Sequence, residues 1–311
     1  MYRRIVLALD REGLAERALP VVIALARRSL AEVVVVSVRD AETGLGPAGA
    51  TAEATSAVVA RLESEGVRAC AEVMSTHARS VASVIVEAAR RLHADLVALG
   101  SRGRGDLAGL LLGSVGHRAA AGLDCQVLLV RGGDSDTGSP PLTTLLFAID
   151  DSGEAAGALE TAGRLAREHE AAVVVVHALE QNAVDRHGYA AAFDEGRALL
   201  DGAAEQLGGS GLTVDTELLP FPGPVAPRLA AAADDWDADL VVLGSRRPSE
   251  LGGLLLGSVA HDLVRRTHRP VLLAERPRAG AVRPPDTGPP GRGQRPSPGP
   301  VCSSWNRAGG S

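Results

Sequence analysis

The chain has 311 residues and a mass of 31.9 kDa, twice the common domain size of about 150 residues, which excludes a single small module. Its 45% hydrophobic and 23% charged residues suit a globular protein with a sizeable core and exclude disorder along the whole chain. The net charge of −6 is uneven: six Arg and two acids lie in residues 275–311, leaving −10 on residues 1–274. Such an acidic body, with 2% aromatics and no lysine, argues against nucleic acid and anionic membranes as partners.

In chain order, short β-branched runs alternate with segments of helical period. Arg4–Leu9 predicts a strand, and Leu14–Ser29 a helix with Leu14, Ala18, Val21, Val22 and Leu25 on one face. Glu32–Val38 contains four consecutive valines and predicts a strand buried on both sides. A helix over Thr51–Glu65, a strand over Arg68–Met74, a helix over Ser80–Leu92 and a strand over Leu96–Leu99 follow. A helix from Ser114 and a last strand over Gln126–Val130 complete this half, and the same order repeats from Thr144 to Ala274. Regular alternation of this kind implies a parallel sheet with helices on both faces.

The repetition is explicit in the residues. Leu110-Leu111-Leu112-Gly113-Ser114-Val115 recurs as Leu254-Leu255-Leu256-Gly257-Ser258-Val259, an offset of 144. The same offset relates Asp95-Leu96 to Asp239-Leu240, Gly100-Ser101-Arg102 to Gly244-Ser245-Arg246, and His117 to His261. Earlier in each half the offset is 140, as between Asp10 and Asp150 and between the two valine runs, so four extra residues entered the second copy between its second and fourth strands. A period this long signals duplication of a whole domain. The expected organisation is a first domain over 1–131, a Gly/Ser/Pro linker over 132–141, a second domain over 142–275, and a disordered Pro/Gly/Arg-rich tail over 276–311.

Cys70, Cys125 and Cys302 fit neither a disulfide framework nor zinc-ligand spacing, so reduced, buried or inert thiols are expected, with Cys125 buried. The N-terminal apolar run Val21–Ala26 is too short for a secretory segment, and no stretch reaches the 18 or so apolar residues of a membrane span. The expectation is a soluble, cytoplasmic protein. The scattered histidines show no metal-ligand spacing, and Asp234-Asp235-Trp236-Asp237 suggests a solvated helix-to-strand turn.

Ligands of open parallel sheets bind at the carboxyl ends of strands where the strand order reverses. Asp10 ends the first strand, and Gly100 ends the fourth, followed by Ser101-Arg102-Gly103-Arg104-Gly105 and later by Gly113-Ser114 before a helix. Glycines let backbone approach a phosphate, a helix N-terminus attracts anions, and a carboxylate can accept from ribose hydroxyls. Together they describe a nucleotide cradle. Gly103-Arg104-Gly105-Asp106-Leu107-Ala108 matches a dinucleotide fingerprint only in form, since that motif belongs after the first strand. With no lysine, a Walker-type P-loop is excluded.

Gly100-x2-Gly103-x9-Gly113-Ser114, after an Asp-Leu-Val strand and a first strand ending in Asp, resembles the ATP-binding pattern of the universal stress protein family, once over residues 1–131 and again over 142–275. The resemblance implies an α/β fold of two tandem Rossmann-like domains, each a five-stranded parallel sheet of order 3-2-1-4-5 with helices on both faces. It implies ATP with Mg2+ as ligand. Asp10 would contact the adenosine, backbone near Val38 the adenine, and Gly100, Gly103, Gly113 and Ser114 the ribose and phosphates, with Arg102 and Arg104 near the phosphate charge. Asp150, Ala178, Gly244, Gly257 and Ser258 occupy the corresponding positions of the second copy. The fifth strands, Gln126–Val130 and Pro270–Leu273, would meet as an intramolecular pseudo-dimer, with a homodimer as a further possibility.

Two departures from the family pattern stand out. Arg11-Glu12 follow Asp10 where relatives often have Gly-Ser, and Arg247-Pro248 replace the middle glycine of the second loop, so the first copy is expected to bind ATP better. The leading expectation is a non-enzymatic, nucleotide-responsive regulator in stress response. The alternatives are a slow ATPase or adenylating-type enzyme, and a module that binds a protein partner through degenerate sites.

Overall fold

The computed structural model describes residues 2–9, 17–39, 48–76, 80–101, 118–120, 122–131, 141–150, 155–244 and 258–274. The predicted tail, most of the linker, and the start of the first predicted helix at Leu14 lie outside them. The first copy runs β1 (Arg4–Leu9), α1 (Leu19–Ser29), β2 (Glu32–Arg39), α2 (Ala48–Ser64), β3 (Arg68–Ser75), α3 (Val81–Arg91), β4 (Leu96–Ser101) and β5 (Gln126–Arg131), with helical residues before β5 at 118–120 and 122. The second runs β6 (Thr144–Ala148), α4 (Ala155–His169), β7 (Ala172–Ala178), α5 (Gln181–His187), α6 (Tyr189–Gly208), β8 (Val214–Leu219), α7 (Val225–Asp235), β9 (Leu240–Gly244), α8 (Ser258–Arg266) and β10 (Val271–Ala274).

All ten strands form one sheet, ordered β3-β2-β1-β4-β5-β10-β9-β6-β7-β8. Each half has the expected order 3-2-1-4-5 and is parallel throughout. The halves meet where β5 pairs with β10 antiparallel, Leu129 opposite Val271, Leu128 opposite Leu272 and Val127 opposite Leu273. Joined through these fifth strands, residues Met1–Arg276 form one compact unit.

Alternate side chains of the valine runs serve two apolar layers. Val33 and Val35 face α1 and α2, while Val34 and Val36 face α3 and its neighbours, all at most 1% exposed. Ser80 caps α3 by accepting from the Ser83 amide. At the amino edge a carboxylate holds each copy's first strand: Asp95 accepts from the Arg3 and Arg4 amides, and Asp239 from those of Thr143 and Thr144.

The strand registers locate the inserted residues. Val33 pairs with Ala69 and its counterpart Val173 with Val214, so the offset changes from 140 to 145 between the second and third strands, and returns to 144 at Leu96 and Leu240. The insertion coincides with α5, which has no described counterpart in the first copy. The acidic turn after α7 is not merely solvated: Arg269 bonds to Asp234 and Asp237, and the Trp236 indole donates to Glu217 at 2.6 Å. Cys70 is disulfide-bonded, against the expectation of reduced thiols, and it lies half-buried on an edge strand rather than enclosed between neighbours. Cys125 is half-buried, not buried, because it precedes β5 at the rim of the layer beside α3.

The seam is also polar in one place. The Tyr2 hydroxyl donates to Gln126 at 2.7 Å, and the Gln126 amide donates to Thr161 of the other copy at 3.2 Å. Tyr2 and Thr161 are both buried, and burial raises the Tyr2 phenol above its usual pKa. The counterparts of these three residues are Leu142, Pro270 and Val21, so the chain of bonds exists on one side of the pseudo-two-fold only. Gln126→Leu leaves two buried hydroxyls without their partner and is expected to cost about 1–3 kcal/mol, read from urea midpoints. The combined Tyr2→Phe, Gln126→Leu, Thr161→Val variant is expected to recover most of that loss, because no polar group is then stranded.

Across the same seam, the Ser29 hydroxyl donates to Glu168, and Arg28 lies 3.8 Å from Glu170. Beside them His169 is buried with Nε2 unpaired, and burial, then the Arg28 charge, hold its pKa below the ordinary value of 6.5 against the opposing pull of Glu168. The unfolded chain binds this proton more readily than the folded one, so the contribution to stability is complete above the unfolded value and is lost as pH falls through and below it. Urea midpoints are expected to fall from pH 7 to pH 5 with a slope that flattens in His169→Ser, the residue present at the corresponding position 29; an unchanged slope would refute this.

Candidate functional site

In each copy the strand order reverses between the first and fourth strands, and the crevice at their carboxyl ends is where an open sheet receives a ligand. Ala8 pairs with Leu99, which sets Leu9 beside Gly100. Ala148 pairs with Leu243, which sets Ile149 beside Gly244, with Asp150 next in the chain. Because β5 and β10 run antiparallel, the two crevices open on opposite edges of the sheet. They cannot form one composite site.

The described candidate residues fall at these edges. Val38 lies one residue from the end of β2, half-buried against the α3 layer, and Ala178 ends β7 at 6% exposure. Their side chains belong to the core, so what they can offer a ligand is backbone. Gly100 lies near the end of β4, Gly244 ends β9, and Asp150 is half-buried beyond β6. Ser258 is the first residue of α8 with an exposed side chain; the parallel crossover from β9 to β10 puts this helix N-terminus at the carboxyl edge. The structure thus brings Val38 and Gly100 to one edge, and Asp150, Ala178, Gly244 and Ser258 to the other. Asp10, Arg102, Gly103, Arg104, Gly113, Ser114, Arg247 and Gly257 lie outside the described residues.

Three further side chains at these edges were not singled out by motif. Ser37, next to Val38, is 2% exposed, and its hydroxyl has no hydrogen-bond partner. Its counterpart His177 approaches the Ile149 carbonyl with Nδ1 at 2.9 Å; a carbonyl only accepts, so Nδ1 carries the proton. Gly196 of α6 makes room for this ring, since a Cβ there would sit 2.9 Å from His177 Cδ2 and from Leu218 Cδ1.

Arg228, in α7, spans the next strand ends. Nη2 donates to the Leu179 carbonyl at 2.8 Å, Nη1 to those of Leu219 and Pro220 at 3.1 and 2.8 Å, and Nε to that of Pro224 at 3.3 Å. Burial lowers its pKa somewhat, opposed by the Glu180 charge. The sequence signal for all of these was the duplication itself: at offsets of 140 and 144, Ser37 faces His177 and Val84 faces Arg228, changes of chemical type within otherwise matching frames. Among the described residues no group of three or more His, Cys, Asp or Glu is placed to hold a metal ion, and no helix is long and apolar enough to cross a membrane.

Comparison with known proteins agrees with this architecture. The sequence pattern of the Universal stress protein family matches residues 1–131 and again 141–275. A universal stress protein of Mycobacterium tuberculosis is 29% identical over 182 residues, covering 58% of this chain and 62% of that protein. The chain thus matches less than two thirds of that relative's length. One from Methanocaldococcus jannaschii is 32% identical over 85 residues, 27% of this chain and 49% of that protein. The crystal structure of a universal stress protein from Archaeoglobus fulgidus superposes with a TM-score of 0.69 at 20% identity, covering 88% of this chain and 98% of that one, and shares the fold. Matched twice over nearly the whole of its duplicated body, the chain belongs to the universal stress protein family.

Proposed function

We propose that this protein binds ATP, with Mg2+, at the carboxyl edge of its first copy and works as a nucleotide-responsive regulator in the stress response rather than as an enzyme with rapid turnover. The observation that carries the reading is the position of Gly100. The first glycine of the spaced motif lies beside Leu9, and hence next in sequence to Asp10, at the point where the strand order reverses. ATP presents an adenine edge to strand-end backbone, ribose hydroxyls to a carboxylate, and phosphates to glycine-lined backbone. In this chain those partners would be the backbone near Val38, Asp10, and Gly100, Gly103, Gly113 and Ser114, with Arg102 near the phosphates. The unpartnered Ser37 hydroxyl, next to Val38, is a further polar group at that edge. In this reading the site is in the cytoplasm, and occupancy biases a surface that meets a protein partner or a second copy of the chain.

A second reading, a partner-binding module without a working nucleotide site, is favoured by one observation: the strand-end carbonyls of the second copy already have internal donors. Titration calorimetry with Mg-ATP separates the two. Saturable heat in the native protein, abolished in Gly113→Arg, is the expected result. Steady-state phosphate release is expected below about 0.1 per second, against roughly 1–1000 per second for typical enzymes. Absence of binding would leave the partner-binding reading in its place.

A further inference from the structure

The two copies share a frame but treat their carboxyl edges differently. Backbone carbonyls and amides just past the strand ends are the polar groups that such a sheet offers to a ligand. In the second copy they are used internally. Ile149 gives its N–H to the Val176 carbonyl, and its carbonyl accepts from His177. Leu179 gives its N–H to the Leu219 carbonyl at 3.1 Å, and its carbonyl accepts from Arg228. The same guanidinium holds the carbonyls of Leu219, Pro220 and Pro224, tying the ends of β7 and β8 to the first turns of α7.

The equivalence of the positions is secure. α3 and α7 have the same length at an offset of 144, and each is followed two residues later by a positive-φ residue, His93 and Asp237. Arg228 therefore corresponds to Val84, which is fully buried and has no side-chain donor. His177 corresponds to Ser37, whose hydroxyl caps nothing. Neither closing bond of the second copy is made at the equivalent positions of the first.

We propose that Arg228 and His177 close the carboxyl edge of the second copy from within, so that only the first copy takes a nucleotide. The inference rests on the nucleotide reading above for its second clause and on the bonding pattern alone for its first. A guanidinium fixed on three or four carbonyls is a charge-assisted clamp, and a ligand seeking the Leu179 or Ile149 backbone must displace it. The insertion that builds α5 follows directly after Leu179, so the clamp also fixes the start of the segment found in this copy.

Photolabelling of the full-length chain with 8-azido-ATP, followed by peptide mapping, and amide hydrogen exchange at Leu179 and Phe221 test the two clauses separately. In the native protein, label is expected only in peptides from 1–131. In the Arg228→Val, His177→Ser double variant, label in peptides from 142–275 should rise at least tenfold. Exchange at Leu179 should accelerate tenfold or more in Arg228→Val, and also in Arg228→Met, which keeps the side-chain length without the donors and guards against a folding defect in the first variant. Label shared equally by the two copies of the native protein would overturn the proposal, as would label confined to the first copy in the double variant. Unchanged exchange in both single variants would overturn the clamp. If neither copy takes label while exchange still depends on Arg228, the nucleotide reading fails and the internal closure stands.

Discussion

Three residue pairs of antiparallel backbone, Val127–Leu129 against Val271–Leu273, are the constraint on which the rest of the molecule depends. Without each other, β5 and β10 would be open edge strands whose facing residues are all Val and Leu, a strong invitation to aggregation. Each fully buried Leu of the seam contributes about 1.5–3 kcal/mol by leaving water, and Leu128 and Leu272 are both wholly buried. The pairing also sets direction. Two parallel half-sheets joined antiparallel must point their carboxyl ends opposite ways, so one duplicated fold presents two crevices on two faces of the world outside it.

Separation of the crevices lets the copies diverge. At the seam, Tyr2, Gln126 and Thr161 form a buried polar chain where their counterparts are Leu142, Pro270 and Val21. Such a chain is satisfied only when these two different halves meet in this register, which favours the internal partner over a second copy of the same half. At the carboxyl edges the divergence is of another kind. Arg228 and His177 spend their donors on strand-end carbonyls, whereas Val84 and Ser37 have none to spend or make no bond. A frame held by one core therefore carries, in its second copy, an edge whose carbonyls serve its own integrity.

Much of the fold is legible in the sequence. Period and β-branched runs placed every described strand of the first copy to within a residue or two, the inner strands most plainly, because burial on both faces demands a continuously apolar run. The duplication at offsets of 140 and 144 carried the same elements into the second copy. Boundaries of helices were less exact: α2 begins at Ala48 rather than Thr51, since alanine and glycine there carry no periodic signal. The candidate site was legible as a motif at strand ends, Gly100 and Asp150 among them, because the residues that shape a turn must be close in sequence. Arg228 and His177 were not, because the Leu179 and Ile149 carbonyls they reach lie 49 and 28 residues away.

By itself, then, the sequence determined two copies of an alternating α/β unit, their strand runs and the glycine-rich turns that follow them, all of which are properties of neighbours along the chain. Only the tertiary structure decided that the copies share one sheet, that their crevices face opposite ways, and which strand-end carbonyls are already taken. These are matters of which distant groups come within hydrogen-bonding reach, and reach is set by packing. A residue such as Arg228 has five donors wherever it is placed. Its fold position alone turns them onto the ends of β7 and β8.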